Sequence, residues 1–153
     1  MREPVEKLID AVLDEADCID ELIDVMREQR EAMRDRDAEA INSLMNESRD
    51  ISFEVQSCEN IRNDLAKRLA AAYSCEPKTS SLLSVMKDDE HDKFKEAAEK
   101  LKLSVFLLKS EIMILNGLID QNEKYTSMLL SEWRRINGDG NNISQSGAAD
   151  FRG

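Results

Sequence analysis

The chain has 153 residues, with 32 Asp and Glu against 21 Lys and Arg, for a formal net charge of −11. Five glycines, two prolines and 5% aromatic residues exclude a turn-rich all-β fold. A pI near 4.6 argues against nucleic acid or an anionic membrane as partner, because the net charge repels phosphates. The balance of 41% hydrophobic and 35% charged residues suits one foldable all-α domain.

The first helix is expected over about residues 4–35. Pro4 sits near its first turn, where a missing N–H costs nothing. Val5, Val12, Ile19, Met26 and Met33 recur every seven residues, with Leu8/Ile9, Ala16 and Leu22/Ile23 between them. That is a heptad seam. The first fifty residues hold sixteen acids and seven bases, −9 of the total, which makes this helix an acidic wall with a solvated face. The first 24 residues carry nine acids and no uninterrupted apolar stretch, so the expectation is a cytoplasmic protein without a signal or transit peptide.

Arg34-Asp35-Arg36-Asp37 interrupts the seam, and Asp37 is a good N-cap for a second helix over 37–73. Ile41, Val55 and Leu69 occupy one heptad position there; Leu44, Ile51, Cys58, Leu65 and Ala72 occupy its partner. So short a break between two long helices predicts an antiparallel hairpin.

Tyr73 to Ser81, around Pro77, is the one clear connector. Ser80 or Ser81 is expected to cap a short helix near 81–87, and Asp88 or Asp89 to cap the last helix, 89–137. Phe94, Leu101, Leu108, Leu115, Asn122, Leu129 and Ile136 keep seven-residue intervals along it, completed by Val105, Ile112, Leu118/Ile119, Tyr125 and Trp133. At ~70 Å this rod outreaches the ~50 Å hairpin. It must bend, with Gly117 the candidate place, or leave an apolar stripe uncovered at its far end. Leu103, Phe106, Leu107, Met113 and Ile114 lie off the seam, which predicts burial on more than one side in mid-helix. Leu103 to Ile119 is too short, and too interrupted by Lys109 and Glu111, to span a bilayer. Residues 1–137 thus form a single helical-bundle domain with coiled-coil-like packing, and 138–153 a flexible tail.

No catalytic constellation is present. Cys18, Cys58 and Cys75 are odd in number and far apart, and His91 has no second histidine to match it. This predicts free thiols, no metal site, no cofactor and no enzyme. Asn122, in a core position, sets register within the bundle or bonds a partner helix.

Three stretches resemble the FlgN family of bacterial flagellar export chaperones. The first is Glu28-Gln29-Arg30-Glu31-Ala32-Met33, followed by Arg36-Asp37, Ala40-Ile41 and Leu44. The second is Glu59 to Leu69 leading to Leu82-Leu83, and the third Leu115-Asn116 through Asn122 to Leu129. Ser48 stands where family members often have a lysine, and the tail ends Phe151-Arg152-Gly153 in place of a Tyr-x-x-x-Gly element. The resemblance implies a chaperone that binds amphipathic terminal segments of hook–filament junction proteins (FlgK- or FlgL-like), prevents premature assembly and delivers them to the flagellar type III export apparatus. The expected partner face is Leu115, Leu118, Ile119, Asn122, Tyr125, Met128, Leu129 and Trp133. Two other readings stay open: a structural coiled-coil or adaptor subunit that forms a homodimer through its last helix, and a helical sensor or metal-binding module.

Overall fold

The computed structural model describes residues 2–137, all of it helix and short connections. The order is α1 (Arg2–Arg34), α2 (Ala38–Tyr73), α3 (Thr79–Val85) and α4 (Asp88–Asn137). Asp37 caps α2 as its side-chain type predicts, accepting from the Ala40 N–H over 3.1 Å. α2 ends at Ser74, a left-handed residue (φ 58°) whose N–H, with that of Cys75, closes onto the Ala70 and Ala71 carbonyls. α3 begins earlier than the serine caps would place it: Lys78, in extended conformation behind Pro77, is its N-cap and makes no side-chain capping bond. α4 runs unbroken through Gly117.

Cross-helix contacts fix the topology. Glu15 meets Arg62 and Cys18 meets Glu54, so α2 runs antiparallel to α1. Lys100 meets Asp17, Ser104 meets Asp20 and Arg27 meets Glu111, so α4 runs parallel to α1, offset by 83 or 84 residues. α1 lies between the other two and packs on both, whereas α2 and α4 scarcely touch.

α1 packs on both neighbours and still keeps its expected acidic face in solvent, where Asp10, Asp14, Asp17, Glu21, Asp24, Glu28 and Glu31 are all exposed. Two seams are buried: the heptad from Val5 to Met26, and a second row of mostly small residues, Ala11, Cys18, Val25 and Ala32. Its acids line the single face left over, except Glu15, which is itself buried. The core forms two clusters. Near the connector, Val5, Leu8 and Val12 meet Leu69 and Ala70 of α2, Leu82 of α3, and Phe94 and Ala97 of α4. Toward the α1–α2 turn, Leu22 and Met26 meet Leu115, with Ile51, Val55, Ile112 and Ile119 packed around them. Ser48 faces this interior, almost fully buried, its hydroxyl donated to the Met45 carbonyl. A lysine there would have to bury its charge.

The expectation that mid-α4 is covered on several sides is also corrected. Leu103, Phe106, Met113 and Ile114 are 58, 64, 75 and 43% exposed, and Leu107 is half-buried. α4 spends only its seam on α1, and no α2 surface reaches round to the opposite face.

Candidate functional site

Three surfaces formed by the described residues stand out as open to a partner. The first follows from register. With an offset of 84, Arg34, the last residue of α1, stands beside residue 118 of α4. The remaining nineteen residues of α4 run past the α1–α2 turn, about 28 Å of helix at 1.5 Å per residue. Leu115, placed on the partner face by the sequence, lies just before this point: it is 4% exposed and packs with Leu22 and Met26, so it belongs to the core. Leu118 and Ile119 are half-buried at the margin. Asn122, Tyr125, Met128, Leu129 and Trp133 fall on the projecting turns, and their side chains lie outside the described residues.

The second surface is the exposed stripe Leu103, Phe106, Met113 and Ile114 on the outer side of α4. Its spacing of three, seven and one is readable in the sequence, but its exposure depends on which helix α4 packs against.

The third is a groove of about 710 Å³ that sequence reasoning missed. Because α2 and α4 flank α1 and scarcely touch each other, Leu8 and Val12 form its floor, Ala66 of α2 one wall, and Leu101 and Val105 of α4 the other, with α3 closing one end. Arg62 and Glu15 lie in the lining. Arg62 Nε donates to both Glu15 oxygens, at 3.0 and 3.2 Å. Burial pushes the Glu15 carboxyl above its ordinary 4.5, and the Arg62 guanidinium pulls the other way without fully compensating. A second polar junction ties α4 to α1: Glu111, buried, takes Arg27 at 3.2 Å and Arg30 at 3.5 Å on one oxygen, while its other oxygen is unpartnered among the described residues.

The cysteines are all free thiols. Burial, then the neighbouring Cys58, Glu54 and Glu21, push the Cys18 thiol up to about 12, so it stays protonated and is a poor nucleophile. Among the described residues no group of three or more His, Cys, Asp or Glu is placed to hold a metal ion, and no helix is long and apolar enough to cross a membrane.

Fold and surfaces together define an all-helical protein whose free surfaces are helix faces and an interhelical groove, the geometry that receives other helices. The model of the FlgN protein family matches residues 1–150, and the chain belongs to the FlgN family. That is a family of flagellar export chaperones and not one of enzymes. No curated protein and no solved structure matches the chain.

Proposed function

We propose that this chain is a cytoplasmic chaperone for hook–filament junction proteins of the FlgK or FlgL kind. It binds their amphipathic terminal segments, keeps them from assembling early and hands them to the flagellar export gate. The observation that supports this reading most is the parallel register of α4, which carries its last nineteen residues beyond both hairpin helices. The seven-residue stripe continues there through Asn122, Leu129 and Ile136. A helix with such a stripe, running past the other helices among the described residues, accepts a partner's amphipathic segment side by side. The partner orders as it binds, and that entropy cost keeps the complex releasable.

The proposed face therefore starts after Leu115 and comprises Leu118, Ile119, Asn122, Tyr125, Met128, Leu129 and Trp133. Asn122 would give a polar bond inside an apolar seam and so set the guest's register. The test is co-purification with a junction protein. Leu129→Glu or Trp133→Glu abolishes it while helical content and melting temperature stay those of the parent. Retention of the partner by both variants overturns this site. A parent chain that sediments as a dimer, and becomes monomeric in both variants, assigns the stripe to self-association.

A further inference from the structure

We propose that the groove between α2 and α4 is a second docking site, shaped for a short amphipathic helix that carries acidic residues along one edge. The inference rests on the reading of the chain as a binder of amphipathic segments, but places part of the guest away from distal α4.

The architecture supplies the first argument. Three long helices arranged with α1 in the middle leave vacant the fourth place of a four-helix bundle. The chain already fills one end of that place with a helix of its own: α3 inserts Leu82, fully buried, beside Phe94. Beyond α3 the same apolar trough continues past Ala66 and Leu101 to Val105. Phe94 to Val105 is about 17 Å of α4, or three turns of a guest helix.

Charge selects the guest. Arg62, on the α2 wall, uses only its Nε on Glu15, which leaves its two terminal nitrogens without a partner among the described residues. Lys95 and Lys102 line the opposite wall, exposed, one heptad apart and in no salt bridge among the described residues; Lys109 continues their row. The acids in the lining are Glu15, already held by Arg62, and Glu99. Both walls therefore offer cations to an occupant, and carboxylates at seven-residue spacing would answer Lys95 and Lys102 together. A second copy of this chain fits poorly. Its continuous exposed apolar helix face, Leu103 to Ile114, is edged by the same lysine row and would bring lysine against lysine.

The probe is a pair of fluorescent, helix-stabilised 18-residue peptides with one leucine stripe, edged at seven-residue spacing by glutamates in one and lysines in the other. The acidic peptide is expected to bind the parent chain at least about tenfold more tightly than the basic one, with an advantage that shrinks in high salt. Lys95→Glu combined with Lys102→Glu reverses the preference. Ala98→Trp, which fills the groove from the α4 side, removes the preference for the acidic peptide, with circular dichroism confirming the fold; the exposed lysine pair serves as the test should the tryptophan variant unfold. Leu129→Glu leaves the preference for the acidic over the basic peptide unchanged. Equal binding of the two peptides, no binding at all, indifference to the lysine changes, or loss of the preference only with Leu129→Glu each overturn the groove. The last of these would leave the distal-α4 reading standing, and loss of a junction protein with Leu129→Glu alone would do the same.

Discussion

Ser104 of α4 donates its hydroxyl to Asp20 of α1 over 2.7 Å, across 84 positions of sequence. Eighty-four is twelve heptads, so the two helices keep the same heptad phase wherever they run side by side in parallel. The offset also fixes where α1 runs out. By this register α1 ends beside residue 118 of α4, with Ile119 still packed at the edge of the core, and the proposed chaperone face starts at this margin with Leu118 and runs onward.

Neighbouring residues on α4 have opposite fates, which mutation can read. Leu115 is enclosed by Leu22 and Met26, whereas Met113 is mostly exposed. Leu115→Ala is expected to cost about 2–3 kcal/mol and Met113→Ala less than about 0.5 kcal/mol in urea unfolding. Equal costs would mean that α4 does not present its heptad seam to α1.

The Glu15–Arg62 pair gives a pH signature. Arg62→Met leaves a buried carboxylate uncompensated and is expected to cost about 2 kcal/mol at pH 7, short of the full penalty because Arg62 is partly exposed. Glu15 already titrates above 4.5, and loss of Arg62 moves it higher. A carboxyl with a raised folded pKa favours the folded state most when protonated, and that contribution is lost as pH rises through the folded pKa. The gap between parent and variant should therefore narrow from pH 7 to pH 5, measured as the urea midpoint at each pH. A gap that widens on acidification contradicts the assignment.

Ser74 caps α2 at φ 58°, a conformation that suits glycine better than any L residue. Ser74→Gly is expected to stabilise the chain by about 1 kcal/mol, raising the melting temperature by about 2–4 °C. The scan would show a fall instead if the serine side chain were needed.

Cys18, its thiol pushed up to about 12, should resist alkylation by iodoacetamide at pH 8 in the folded chain and react once unfolded, with mass spectrometry of the labelled peptides as the readout. Because the folded state holds the proton more tightly, stability should also fall as pH climbs from 9 toward 12.

Much of this fold was legible because a helical seam is written in one dimension. The row from Val5 to Met33 and the Asp37 cap placed α1 and α2, and one short break between them dictated an antiparallel hairpin. The position of α4 was not legible in that way. A heptad stripe says that a helix packs, but not on which neighbour or in which direction. The signal that α1 takes two neighbours was present in Ala11, Cys18, Val25 and Ala32, a second row seven residues apart. Its small, weakly apolar side chains give a fainter signal than valine and isoleucine. Without that row, the off-seam apolar residues of mid-α4, Phe106 and Met113 among them, read as buried on more than one side. The groove was invisible for the same reason: it exists because α2 and α4 scarcely touch, a fact about three helices at once. The partner face from Leu118 onward rests on the heptad stripe and the register, and Leu115 fell on the wrong side of the boundary because only the offset of 84 says where α1 ends.

The most direct measurement is hydrogen exchange along α4, with and without the terminal segment of a junction protein. Amides from residue 120 to 137 should exchange faster than those of α1 in the free chain, since among the described residues α1 and α2 do not run alongside them, and should become strongly protected when the segment is added. Protection that appears only within α1 and α2, or no change from residue 120 onward in a chain that demonstrably holds its partner, would contradict the account.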